Sequence, residues 1–216
     1  MHKTVDIKLG ADILQLNTEL ANRNHLRFKE ADVKVFDFMG SIGSGKTLLI
    51  EGLIDMLNQQ GKRAGAIAGD VSGMDDYLRF KAHGIPVINI NTDKDCHLDA
   101  HLIEHSLDEL ELSAIDVLFI ENVGNLVCPA DFPLGTDKRI VVISVTEGDD
   151  MVRKHPVIFG LADIIVVNKI DLAEVVEVDV NVIRADAKKI APHTKLLVTD
   201  AKHRTGLDEL IKGLGL

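Results

Sequence analysis

Val33-Lys-Val-Phe-Asp-Phe-Met-Gly-Ser-Ile-Gly-Ser-Gly-Lys-Thr-Leu-Leu-Ile-Glu-Gly-Leu-Ile-Asp-Met-Leu57 is the stretch whose reading decides the fold. Val33–Met39 is an apolar, β-rich run that predicts a strand, and Leu48–Leu57 carries apolar residues at helical spacing. Between them Gly40–Thr47 fills the pattern G-x-x-x-x-G-K-[ST]. Strand, glycine loop and helix in that order make a phosphate cradle: the loop amides point inward and the helix N-terminus adds partial positive charge. Gly43, Ser44, Gly45, Lys46, Thr47 and Leu48 are therefore the expected phosphate contacts. Lys46 reaches the β- and γ-phosphates, and the Thr47 hydroxyl ligates Mg²⁺.

Outward from this stretch the chain alternates. Further strands are expected at Arg63–Ala68, Val87–Asn91, Ile115–Glu121, Arg139–Thr146, Asp163–Asn168 and Lys195–Thr199. Helices are expected at Lys46–Gln60, Met74–His83, His97–Leu112, Asp179–Ala191 and Thr205–Leu214. Alternation of this kind predicts an α/β fold with a mostly parallel sheet covered on both faces, and runs such as Ile140–Ile143 and Ile164–Val167 suit strands buried on both sides. Ala11–Asp32 reads as an amphipathic helix, so residues 1–32 form a helical lead-in and residues 33–216 a single P-loop domain.

Composition narrows the class. The 216 residues carry a net charge of −10 and are 46% hydrophobic. That is enough apolar material for a large core, and too acidic for a nucleic-acid surface or an anionic membrane. No stretch has the length of a membrane span or the apolar core of a signal peptide, so a cytoplasmic location is expected. The cysteines are Cys96 and Cys128 alone. In a reducing compartment such a pair reads as free thiols or metal ligands.

Asn168-Lys169-Ile170-Asp171 follows directly on the strand run Ile164–Val167. At a strand end in a P-loop chain, N-K-x-D selects guanine. The Asp171 carboxylate accepts from guanine N1–H and the 2-amino group, a donor pair that adenine lacks, so GTP is expected over ATP. Ala201 and Lys202, after the next strand, fall where backbone and short side chains meet the base. Glu121-Asn-Val-Gly124 stands in the position of the D-x-x-G element of GTPases, with Glu121 as the acid supporting Mg²⁺ and Gly124 sensing the γ-phosphate. Asp70 is a second candidate for Mg²⁺. Asp75 or Asp76 could orient the attacking water, and of the two Asp75 is the one taken as the candidate. Asp76 reads as an ordinary helix-start acid. Lys154 is a candidate contact to the base or to a partner's nucleotide, with a solvated lysine as the alternative.

Cys96 and His97, with Cys128 four residues beyond Gly124, form a thiolate and imidazole set that suits Ni²⁺ or Zn²⁺ rather than Mg²⁺. His101 is added by its i, i+4 spacing from His97. Adjacent Cys96 and His97 chelate one ion only at a helix start or in the loop before it. The alternative is a pair of inert cysteines with solvated histidines. The place of Cys128 favours the metal reading, because a ligand just past the phosphate-sensing glycine moves when that loop responds to hydrolysis.

Gly40–Thr47, Cys96-His-Leu-Asp-Ala100, Glu121-Asn-Val-Gly-Asn-Leu-Val-Cys-Pro-Ala130 and Asn168–Asp171 together resemble the hydrogenase nickel-incorporation (HypB) GTPase family. The resemblance implies a GTPase that forms a homodimer when GTP is bound and helps load Ni²⁺ into [NiFe] hydrogenase. Its expected partners are a second maturation protein and the hydrogenase large subunit. It implies the metal role for Cys96, His97 and Cys128 but not for His101. Residues 1–32 show no Cys- or His-rich nickel tract of the kind found before the GTPase domain in many bacterial members, so metal binding is expected at the GTPase-domain site. Three other readings are a urease-type nickel chaperone, which would show Cys-Pro-His at Cys96–Leu98, a regulatory GTPase with a structural metal site, and a small-molecule kinase.

Overall fold

The computed structural model describes residues 2–216, with side chains from Gly10 onward. The first strand, β1 (Lys34–Gly40), is the centre of a seven-stranded sheet. The others are β2 (Ala64–Asp70), β3 (Val87–Asn91), β4 (Val117–Glu121), β5 (Lys138–Ser144), β6 (Ile164–Asn168) and β7 (Lys195–Val198). They lie in the order β3-β2-β4-β1-β5-β6-β7, and every pairing is parallel.

Parallel pairing follows from the crossovers: each strand end must return through a helix packed on the sheet. The helices are α1 (His2–Glu30), α2 (Lys46–Gln59), α3 (Asp75–Lys81), α4 (Ala100–Ser106), α5 (Met151–Lys154), α6 (Pro156–Gly160), α7 (Val180–Ile190) and α8 (Leu207–Leu214). Side chains alternate across the strands and both faces are covered. Phe36, Phe38, Phe119, Ile140, Val142 and Val166 pack with α2 and α8 on one face. On the other, Val141, Ile143, Ile165 and Val167 pack against α5, α6 and α7, while Leu118 and Ile120 pack against α1 and α4. β2, β3 and β4 lie on one side of β1 and β5, β6 and β7 on the other, so connections leave its neighbourhood in opposite directions and the carboxyl ends of β1, β2 and β4 border a crevice.

Element types agree with the sequence reading, while several boundaries do not. The expected helix His97–Leu112 is only Ala100–Ser106, because Asp99 caps it by accepting from Leu102 N at 2.8 Å. Cys96 and His97 therefore lie in the loop before the helix. α5 and α6 fall in a stretch read as loop, each a turn or so long and divided at Pro156. α1 runs from His2, ahead of the expected start at Ala11. No helix among the described residues is long and apolar enough to cross a membrane.

Candidate functional site

The loop leaving β1 wraps a cavity of about 430 Å³. Gly43, Gly45, Lys46, Thr47 and Leu48 line it with Asp70, Asp76, Glu121, Gly124 and Lys169. Gly45 has φ 97°, and a Cβ there would collide with the Asn168 side-chain amide, so this corner needs glycine twice over. Ser44 is fully buried, and its carbonyl accepts from Asn168 Nδ2 at 2.9 Å.

Lys46 is buried, and its ammonium caps the loop's own carbonyls, Gly40 O at 3.3 Å and Ser41 O at 3.2 Å, with Glu121 Oε1 at 3.9 Å. Thr47 Oγ1 lies 2.8 Å from Asp76 Oδ1 and 3.0 Å from Glu121 Oε1. Burial pushes the Glu121 carboxyl up to about 7 against the pull of Lys46, and its second oxygen has no partner among the described residues. An orphaned buried carboxylate oxygen on the residue that bonds Thr47, with Asp76 on the same hydroxyl and Asp70 lining the same cavity, is a hard-oxygen donor set that fits Mg²⁺.

One expectation is corrected here. Asp75, expected to orient water, is exposed in the first turn of α3, and Asp76 faces Thr47 instead. Successive helical residues point about 100° apart, so only one of the two can look into the cavity. Arg79, one turn further along α3, also lines it while held by Glu51. Nothing in its local sequence marked it.

At the edge where a base would lie, Asn168 is a structural hub. Its Oδ1 accepts from Thr199 Oγ1 at 3.0 Å and Ala201 N at 3.1 Å, tying the loop after β7 to the phosphate loop. Lys169 takes a left-handed conformation (φ 60°) that carries the chain over the cavity. Asp171 is exposed, as a base-reading carboxylate must be, and Lys202 is exposed nearby. Lys154 does not line this cavity. It pairs with Asp150 at 2.6 Å and borders a separate groove with Val127, Ala130 and Val157.

One loop away the soft ligands converge. Cys96 Sγ lies 2.7 Å from Cys128 Sγ and 4.0 Å from His97 Nδ1, and one ligand atom from each residue falls within 4.8 Å of the others. The hydrogen bond with Cys128 raises the Cys96 thiol, and partial burial lowers His97, whose ring stacks on Phe132 at 3.9 Å. A depressed imidazole offers its lone pair near neutral pH, while the thiols must release protons to bind metal. His101 is a second correction: it is exposed, outside this cluster, and faces His105 at 4.5 Å. The helix on which it would have shared a face with His97 starts three residues too late.

What sequence reasoning missed is the polar frame between the two sites. Asn122 Oδ1 accepts from Leu98 N at 3.0 Å, and its Nδ2 donates to Asp37 at 3.1 Å. Asn125 donates its backbone N–H to Gly40 O at 2.9 Å and its side-chain Nδ2 to Cys96 O at 3.3 Å, and it accepts from Val127 N at 2.8 Å. Asp37 is wholly buried, and burial pushes its carboxyl to about 6 against the Arg139 guanidinium. Arg139 in turn donates to Pro129 O at 2.5 Å and Ala130 O at 3.1 Å, just past Cys128. The readable signal was Asp37 itself, an acid in the middle of an apolar strand.

A parallel sheet, a phosphate loop at the end of its central strand and acids beside the loop threonine define a P-loop nucleotide-binding protein, here with a thiol and imidazole cluster between the segments that follow β3 and β4. Residues 34–198 match the family model described as CobW/HypB/UreG, nucleotide-binding domain. The chain is 52% identical over 212 residues to the probable hydrogenase maturation factor HypB of Methanocaldococcus jannaschii, covering 98% of this chain and 96% of that one. It is 38% identical to HypB of Escherichia coli K12, covering 96% of this chain and 71% of that one. Among solved structures, HypB of Archaeoglobus fulgidus superposes with a TM-score of 0.86 at 48% identity, covering 93% and 98% of the two chains. HypB from Helicobacter pylori in complex with nickel superposes with a TM-score of 0.87 at 35% identity, covering 92% and 93%. The chain belongs to the CobW/HypB/UreG family, and within it resembles the HypB maturation factors.

Proposed function

We propose that this chain is a GTP-hydrolysing hydrogenase maturation factor that carries Ni²⁺, or Zn²⁺ in its place, on Cys96, His97 and Cys128. The observation that carries this reading is the bonding of Asn125: one residue holds the phosphate loop through Gly40 and the metal loop through Cys96. A nucleotide that moves Gly124 must move the ligand frame with it, which is a coupling free energy between phosphate and metal.

In the hydrolytic step the P-loop amides and Lys46 hold the phosphates and neutralise charge that builds on the transferring group. Lys46 must leave the carbonyls of Gly40 and Ser41 to do so. Thr47, Glu121, Asp70 and Asp76 are the residues that would hold Mg²⁺, directly or through water; when bound, the ion neutralises phosphate charge. Asp76, which lines the cavity beside Thr47, orients the attacking water in this reading, and Asp171 selects guanine. Turnover is slow, as suits a switch. GTP favours a homodimer that brings two Cys/His clusters together, and the acceptors are a second maturation protein and the hydrogenase large subunit.

The metal is cargo. Two thiols and one imidazole leave a tetrahedral or planar ion with an open position, through which it can be passed on. The test is Ni²⁺ affinity with a non-hydrolysable GTP analogue and then with GDP, in the wild type and in Cys96→Ala/Cys128→Ala. Affinity that depends on nucleotide and is lost in the variant is the expected result. Weak affinity indifferent to both would make the chain a GTPase switch without a metal role.

A further inference from the structure

Both segments that carry metal ligands run back over α1. Asn17 and Asn24 lie two turns apart, on one face of that helix, and both are buried. Each bonds to both segments. Asn17 Oδ1 accepts from Ala100 N at 2.8 Å, three residues past His97, and its Nδ2 donates to Pro133 O at 2.9 Å, five past Cys128. Asn24 Nδ2 donates to Ala100 O at 2.8 Å and to Leu134 O at 3.3 Å. Ala100 is thus gripped at its N–H by one asparagine and at its C=O by the other, and it packs between them on Leu20 and Ala21. The second segment is pressed equally close, since a Cβ on Gly135 would collide with the Ala21 carbonyl oxygen.

Burying an amide is costly, and Asn24 is buried even though its Oδ1 has no partner among the described residues, so two such amides aimed at the same pair of segments are not filler. Asn125 joins the segments at the ligand end and is itself tied to the phosphate loop. The α1 asparagines join them at the base and, among the described residues, bond to no residue that lines the nucleotide cavity.

We propose, resting on the metal-binding reading above, that α1 is the positioning element of the metal site. Asn17 and Asn24 fix the separation of the Cys96–His97 loop from the Cys128 turn, so the helix sets metal affinity without supplying a ligand. It is the fixed base against which the switch-loop end of the site moves.

The experiment uses the full chain with Asn17→Ala/Asn24→Ala, and Asn17→Asp, which keeps the acceptor for Ala100 and loses the donor to Pro133. Arg27→Ala is the control, because Arg27 docks α1 on Glu104 and Asp108 of α4 and its following turn, away from both ligand segments. Ni²⁺ affinity is read by chelator competition and by thiolate-to-nickel absorption, with GTP analogue and with GDP. In metal-free protein, formation of the Cys96–Cys128 disulfide is read in a glutathione buffer, where two thiols are oxidised and one glutathione disulfide is reduced to two thiols. The double variant should bind nickel at least about tenfold more weakly, by a similar factor in both nucleotide states, and its disulfide equilibrium should fall in parallel. Arg27→Ala should stay within about twofold on each measure. A double variant that binds the GTP analogue normally and matches the wild type in nickel affinity and thiol pairing overturns the proposal. Should it fail to bind nucleotide, Asn17→Asp decides by the same two readings, with a loss of about threefold or more expected. Wild-type nickel binding that ignores Cys96→Ser would remove the metal reading itself, and the assignment to α1 with it.

Discussion

Replacing Glu121 by Gln should stabilise the nucleotide-free protein at about pH 8 by about 3 kcal/mol. Glu121 ends β4 and is buried, with one carboxylate oxygen beside Thr47 and Lys46 and the other without a partner. Burial lifts its carboxyl from an ordinary 4.5 to about 7, so the folded chain holds that proton more tightly than the unfolded one. Its contribution is fully present below about pH 4.5 and lost as pH rises through about 7. At about 1.4 kcal/mol for each pH unit between those values, the loss amounts to about 3 kcal/mol. Glutamine keeps a carbonyl oxygen for Thr47 and cannot ionise. Urea unfolding at about pH 5 and about pH 8, with divalent ions chelated, reads the difference. Asp37, raised from 3.8 to about 6 by burial, adds a slope of the same sign at lower pH, so the variant is compared with the wild type at each pH. A variant no more stable than the wild type at about pH 8 would refute the reasoning. Attraction to Lys46 would then outweigh desolvation, and Glu121 would stand ionised in the resting site.

Asp76→Asn should lower GTP turnover by about a hundredfold and raise the Mg²⁺ requirement, while Asp75→Asn stays within about twofold; steady-state assays across Mg²⁺ concentration separate them, and the reverse ranking would restore Asp75. Asp171→Asn should shift preference from GTP toward xanthosine triphosphate by more than about tenfold, because the amide now donates where the carboxylate accepted; unchanged preference in competition binding would remove Asp171 from base recognition. Gly124→Ala places a Cβ against Ile42, at 3.0 Å from its backbone N and closer still to its side chain, so the switch loop must shift. The shift should weaken GTP-analogue binding more than GDP binding, and equal losses on calorimetry would mean that Gly124 does not sense the γ-phosphate.

Much of the nucleotide cavity was legible because its chemistry is local. The glycines, Lys46 and Thr47 are consecutive, and a loop of that composition between a strand and a helix has few ways to fold. Asn168–Asp171 was legible for the same reason. The errors fell where a side chain's direction depends on a boundary. Asp99 capping α4 moved the helix start past His97 and separated it from His101. The start of α3 decided that Asp76, not Asp75, faces Thr47. Neither boundary can be read to the residue from periodicity, since caps and turns compete at energies of about 1 kcal/mol.

The amino-acid sequence by itself determined the strand and helix alternation and the phosphate loop, and it carries the Asn168–Asp171 motif and the thiol and imidazole residues on which the proposed guanine and metal roles rest. Each is written in neighbouring residues whose spacing fixes what they can do. Only the tertiary structure decided that Cys128 meets Cys96 across 32 positions of chain, that Asn125 joins the phosphate loop to that pair, and that Asn122 ties Leu98 to Asp37 of β1. It alone placed Asn17 and Asn24 of the leading helix beneath both ligand segments. These are contacts between segments far apart in the chain, made because β1, β4 and the helices on one face pack together. An asparagine carries no sign in sequence of which distant carbonyl it will bind.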